Sequence, residues 1–152
     1  MLFRDFVKKL EDEKLLIRIK KPISVKYEIA TLMKKLDGKP LLFENVKGYD
    51  IPVVANVCST RQLVAIGLGI KQREMIKRLT NAIDNPKEPK VKDVKGYREI
   101  DVDLTKLPVL TYYKIDGGPY IASGIAIAKD EEYGLNASYH RAMVIDKNHV
   151  VM

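Results

Sequence analysis

Apolar residues recur at helical spacing at the start of the chain, at Leu2, Phe3, Phe6, Val7 and Leu10, with Arg4, Asp5, Lys8, Lys9 and Glu11 between them. This stripe predicts an amphipathic helix. The period then changes, and Leu15-Leu16-Ile17-Arg18-Ile19, stopped by Lys20, Lys21 and Pro22, reads as a strand. Ser24 stands as an N-cap for a second helix with its stripe on Ile29, Leu32, Met33 and Leu36, closed by Asp37-Gly38. Strands follow at Leu41-Leu42-Phe43 and from Pro52 to Val57, with Gly48 marking the turn between them. Ser59 or Thr60 caps a short helix through Arg61, Leu63, Val64 and Ile66, stopped by Gly67 and Gly69. Lys71 to Ile83 predicts another helix, buried along Met75, Ile76, Leu79 and Ile83.

From Asn85 to Tyr97 the composition shifts to Asn, Pro, Lys, Glu and Asp, as at a boundary crossing exposed surface. The chain therefore divides into residues 1–98, an α/β domain, and residues 99–152. In the second part Glu99 to Leu104 alternates as a strand, with Ile100, Val102 and Leu104 on one face. Its acids could be imagined as a catalytic or metal pair, but an exposed strand face explains them equally. Asp116-Gly117-Gly118-Pro119 is a turn in which the glycines supply positive φ. After it, Ile121, Ser123, Ile125 and Ile127 face one way, and Ala122, Gly124, Ala126 and Ala128 the other. A nearly bare strand face lets a neighbouring sheet or a planar ring approach closely.

A turn over Lys129 to Gly134 leads to a second strand that carries Asn136, Ser138, His140 and Arg141 before Met143, Val144 and Ile145. Polar groups in an apolar hairpin need partners, whether water at an edge strand or a ligand. Asn136 and Arg141 are five apart and point to opposite faces of a regular strand. They enter one pocket only if Asn136 precedes the strand or a bulge intervenes. The chain ends on Val150-Val151-Met152, the start of a returning strand after the turn Asp146 to His149, and this predicts a fragment.

With 152 residues, 46% of them hydrophobic, the chain can bury a core of its own. Lys and Arg number 27 against 20 acids, for a net charge of +7, but they are spread singly among acids, as on solvated faces. A nucleic-acid binder is left resting on that charge alone, since no Arg-rich tail or aromatic-studded basic strand accompanies it. Cys58 is the lone cysteine and reads as a buried thiol in a reducing compartment. Neither a signal peptide nor a run of eighteen apolar residues occurs, so the expectation is a soluble, cytoplasmic protein without a membrane partner. No Walker or dinucleotide-binding loop occurs either; Gly67-Leu68-Gly69 reads as helix termination.

The turn Asp116-Gly-Gly-Pro-Tyr-Ile, followed by Asn136-Ala-Ser-Tyr-His-Arg141, resembles the UbiD family of reversible decarboxylases that use prenylated FMN. So do LFRDFVKKLEDEKLLIRI, PLLFENVKG, IPVVANVCSTRQLVAIGLG and DVDLTKLPVL, in that order along essentially the whole chain. The resemblance implies an amino-terminal α/β domain followed by the start of a split β-barrel flavin-binding domain, incomplete at Met152. It implies Asn136 as a ligand of Mn2+ or Mg2+, with K+ as a further cation, and Ser138, Tyr139, His140 and Arg141 as cofactor-binding residues. Arg141 is also implied as the catalytic partner of the substrate carboxylate, a role its planar fork suits.

A structural, hydrogen-bonding His140 stays open beside that role, His149 is expected in solvent, and Tyr120 in packing. The reaction implied is loss of CO2 from an α,β-unsaturated or aromatic acid, in which the cofactor carries the electrons and an acid returns a proton to carbon. The family's remaining metal ligands and acids fall beyond Met152, so the chain alone is expected to be inactive. Anhydromevalonate phosphate is the candidate substrate, and a polyprenyl hydroxybenzoate the alternative. The competing reading is a non-catalytic module that binds flavin weakly or serves as an assembly piece, as a homo-oligomer or with a missing carboxy-terminal portion.

Overall fold

The computed structural model describes residues 2–87, 96 and 99–152. It contains the mixture of helices and short strands that the periodicities predict. The elements are α1 (Phe3–Asp12), β1 (Ile17–Ile19), α2 (Glu28–Lys35), β2 (Leu41–Phe43), β3 (Val53–Ala55), α3 (Arg61–Leu68), α4 (Met75–Asp84), β4 (Tyr120–Asp130), β5 (Gly134–Val144) and β6 (Val150–Val151). Two 3-10 turns, Gln72–Glu74 and Leu104–Lys106, complete the set. The strands form two three-stranded sheets, in the orders β1-β2-β3 and β4-β5-β6. Among the described residues no helix is long and apolar enough to cross a membrane. The expected linker over 85–97, and with it the division after residue 98, falls mostly outside the described residues.

Two compact units interleave along the sequence. The first comprises Met1–Ile17, Asp37–Leu41 and Ala55–Asp101. Its core is Phe6, Leu10 and Leu63, with Leu15, Leu16, Val57 and Ile66 packed against them. Helix α3 starts where Thr60 caps it, the side-chain oxygen accepting from the Leu63 amide at 3.2 Å, and ends at Gly69 with φ +69°. A Cβ on Gly67 would stand 3.4 Å from Phe6 Cζ, so the bare residue lets the ring lie close to the helix.

The second unit comprises Arg18–Leu36, Leu42–Val54 and Val102–Met152. Ile23, Ile29, Phe43, Val46, Leu110 and Ala142 are buried in it, and Arg18 pairs with Glu44. The returning strand expected at Val150 is present, with Val144 opposite Val150 and Met143 opposite Val151.

Several expectations need correction. Helix α2 opens after Tyr27, not at Ser24. Residues 25–27 are held in a bridge to Thr111, whose amide donates to Val25 O and whose carbonyl accepts from Tyr27 N, so helical geometry begins only beyond them. Glu99 to Leu104 is not a strand. Asp103 accepts from the amide and hydroxyl of Thr105 and bends the chain into a 3-10 turn, leaving Ile100 and Val102 exposed.

Of the stripe expected to bury α4, only Met75 is buried, while Ile76 and Ile83 are 68% and 78% exposed. Periodicity marks a face able to be buried, not one that is. Cys58 is exposed rather than buried. It lies in a tight turn where Ser59 bonds back to Asn56 O through both its amide and its hydroxyl.

Candidate active site

Strands β4 and β5 form an antiparallel hairpin in the second unit, closed by a turn in which Asp130 Oδ1 accepts from the amides of Glu132 and Tyr133, both at 2.8 Å. Side chains alternate between its two faces. The pairing runs regularly from Asp130 opposite Gly134 to Gly124 opposite His140, then shifts, so that Ile121 faces Ala142. The extra residue of this bulge lies in β4, at Ala122 and Ser123 opposite Arg141.

The bulge interrupts the alternation expected from Tyr120 to Ala128. It returns Ile121 to the side of Gly124, where a Cβ would lie 3.5 Å from the Ile121 side chain. Gly117 and Gly118, expected to supply positive φ, do not. What they supply is room for Met143, whose sulfur would lie 3.2 Å from a Cβ on Gly117.

One face of the ribbon is built from small residues, Gly124, Ala126 and Ala128, which register opposite His140, Ser138 and Asn136. Here Ser138 Oγ and His140 Nε2 form a 2.8 Å hydrogen bond. The hydrogen bond holds the imidazole ring beside the hydroxyl, which can donate to Nε2 or accept from it.

The opposite face carries Ile125 and Ile127, both exposed, with Tyr139 opposite Ile125 and 82% exposed. Arg141 belongs to that face by alternation. Asn136 lies within β5, and the bulge is on the partner strand, so neither condition that would bring Asn136 and Arg141 to one face is met. Of the five residues singled out in the sequence, the hairpin joins Asn136, Ser138 and His140 and separates them from Tyr139 and Arg141.

Arg141 has its own surroundings. With Tyr112, Tyr113, Asp116, Tyr120 and Ala122 it lines a cavity of about 180 Å3. Its guanidinium carbon lies 6.0 Å from the centroid of the Tyr120 ring, within cation–π range. Among the described residues no carboxylate forms an ion pair with it. Asp116 is engaged elsewhere: its Oδ2 accepts from the amides of Tyr112 (3.1 Å) and Tyr113 (2.8 Å). Burial pushes the Tyr112 phenol above its ordinary pKa, against the opposing effect of the Arg141 charge. The phenol therefore stays protonated and can donate.

Local sequence pattern does not gather these residues into one cluster. The signal in the sequence is Asp116 three and four residues after a Tyr-Tyr pair, a spacing over which a carboxylate can reach back to backbone amides, as at the third position of a capping box. His149 lies in solvent as expected, its Nδ1 bonded to Asp146.

The small face fits a planar, polar ring system in its chemistry, with open backbone flanked by an amide, a hydroxyl and an imidazole. For a divalent cation the fit is partial. The Asn136 amide oxygen is a suitable hard ligand, but among the described residues no group of three or more His, Cys, Asp or Glu side chains is placed to hold a metal.

Comparison with known proteins covers nearly the whole chain. Residues 7–83 match the family model of the 3-octaprenyl-4-hydroxybenzoate carboxy-lyase N-terminal domain of UbiD. Residues 83–152 match the model of the UbiD carboxy-lyase Rift-related domain. The anhydromevalonate phosphate decarboxylase of Methanothermobacter thermautotrophicus is 36% identical over 144 residues, 93% of this chain and 34% of the relative. That of Methanosarcina mazei is 38% identical over 153 residues, 97% of this chain and 35% of the relative.

Among solved structures, an evolved dimeric form of the UbiD-class enzyme HmfF from Pelotomaculum thermopropionicum, in complex with prFMN, has a TM-score of 0.88. It is 34% identical, with 98% of this chain and 38% of that one covered. The vanillic acid decarboxylase of Sedimentibacter hydroxybenzoicus in closed form gives 0.84 at 28% identity, with 97% and 36% covered. The chain thus spans about a third of the length of the curated relatives it matches.

Proposed function

The chain belongs to the UbiD family, and from that premise we propose that it supplies the amino-terminal part of a prenylated-FMN-dependent decarboxylase whose substrate is anhydromevalonate phosphate. What carries the reading is the hairpin, lying within the nearly complete structural likeness to a prFMN-bound enzyme and bearing a small-residue face with three polar groups. The substrate is taken from the named archaeal relatives. An aromatic acid is the second reading, favoured by the family models' own description and the vanillic acid decarboxylase likeness.

Asn136 would give one oxygen to a divalent metal, and Ser138 and His140 would hold the flavin by hydrogen bonds. Tyr139 and Arg141 would act from the opposite face, Arg141 by pairing with the substrate carboxylate. When bound, prenylated FMN supplies the electron sink for loss of CO2. On that opposite face Arg141 lies across from the bulge at Ala122 and Ser123. Residues 1–98 and 99–152 then serve as a supporting α/β part and the start of the flavin-binding part.

The test joins the chain in frame to the portion of the Methanothermobacter relative that lies outside the match, and supplies prenylated FMN and Mn2+. Release of CO2 from anhydromevalonate phosphate is expected from the fusion and not from the chain alone. A folded, flavin-loaded fusion that releases CO2 only from aromatic acids sinks the substrate assignment, and one that decarboxylates nothing sinks the function.

A further inference from the structure

We propose that Tyr112 is a second anchor for the substrate carboxylate, its phenol donating to the same anion that Arg141 pairs; this rests on the role proposed above for Arg141. The two side chains line one cavity together with Asp116, whose carboxylate accepts from backbone amides and forms no ion pair with the guanidinium. About 180 Å3 of space lies between them, room for the head of a small unsaturated acid.

The other lining groups leave Tyr112 as the donor of choice. Asp116 is tied to the Tyr112 and Tyr113 amides and is itself an anion, so it fixes the Tyr112 backbone and repels a carboxylate that strays toward it. Tyr113 is 62% exposed, and the Tyr120 ring is turned toward the guanidinium. A half-buried phenol kept neutral beside a fixed cation offers two converging donors to a planar anion. A neutral amide of the same shape can use only one of its own atoms as an acceptor, so the pair discriminates acids from amides.

The experiment needs no flavin, so its failure is separate from failure of the decarboxylase reading. Crotonate and crotonamide are titrated into the native chain and into the Tyr112→Phe and Tyr133→Phe variants, followed by the tyrosine ring signals in NMR. Crotonate is expected to saturate and to move the Tyr112 signals. Tyr112→Phe is expected to weaken crotonate by roughly tenfold or more while leaving crotonamide unchanged, and the Tyr133→Phe variant, altered at an exposed ring outside the cavity, is expected to bind both as the native chain does.

Absence of saturable crotonate binding to the native chain overturns the proposal. So does a Tyr112→Phe variant that binds crotonate as well as the native chain, or that loses acid and amide alike. Should that variant fail to fold, unmoved Tyr112 signals on crotonate addition to the native chain overturn it equally.

Discussion

The guanidinium of Arg141 sits 6.0 Å from the ring of Tyr120, across the base of the β4/β5 hairpin and beside the bulge that opens opposite it. The contact sets Arg141 over an aromatic wall with no carboxylate among the described residues at ion-pair distance, an arrangement that keeps its fork available to an incoming anion. Replacing Arg141 by alanine should weaken crotonate binding by about 1.5–3 kcal/mol, the usual range for a hydrogen bond to a charged group. Arg141→Lys, which keeps the charge and loses the planar fork, should fall between native and alanine. Calorimetric titration of the three proteins checks the order, and equal affinities would remove Arg141 from the site.

Alkaline stability should depend on Tyr112. Its folded-state pKa is raised by burial, so between the unfolded and folded values the unfolded chain binds fewer protons. The resulting stability is fully present below the ordinary phenol value of 10.0 and is lost as pH rises through the folded one. Denaturant unfolding at several pH values should show the native chain losing more stability above about pH 10 than Tyr112→Phe does. Parallel curves would mean that the phenol is not desolvated.

The hairpin turn should weaken in acid. Hydrogen bonds from the Tyr133 and Glu132 amides hold the Asp130 carboxyl below its ordinary 3.8. A lowered folded pKa gives stability that is present above 3.8 and disappears as pH falls through the folded value. Asp130→Ala should therefore be less stable than native at neutral pH, with the gap closing in acid. Amide exchange across Lys129 to Leu135 at two pH values measures it.

The core of the first unit and the outer face of α4 should respond very differently to truncation. Leu10 is fully buried against Phe6 and Leu63, and Leu10→Ala should cost about 2–5 kcal/mol. Ile83 is 78% exposed, and Ile83→Ala should stay within about 0.5 kcal/mol of native. Chemical denaturation of both variants decides whether the α4 stripe is a surface.

This last contrast shows where the sequence was legible. Helices α1 and α3, the strand at Leu41-Phe43, the hairpin and the returning strand at Val150 all announce themselves, because local period and cap chemistry determine them. Ile76 and Ile83 misled because a helix's apolar stripe does not name its partner. Glu99 to Leu104 misled because one Asp-Thr interaction outweighs a short alternation. Cys58 was misplaced because a side chain's own turn, not its apolar neighbours, sets its exposure.

At the site, Asn136, Ser138 and His140 could be grouped from their spacing of two. The surroundings of Arg141 could not, because they come from Tyr112, Asp116 and Tyr120, some twenty to thirty residues earlier, and from a bulge with no sequence signature beyond the small residues around it.

The role proposed for the small face of the β4/β5 hairpin is that of a flavin site in which Asn136 contributes to a metal. Fluorescence titration of prenylated FMN into the native chain, with and without Mn2+, measures it. Saturable binding that Mn2+ tightens is expected, with the Mn2+ effect lost in Asn136→Ala and the flavin affinity reduced in His140→Ala. Flavin binding that is absent, or that responds to Mn2+ identically in native and Asn136→Ala proteins, contradicts it.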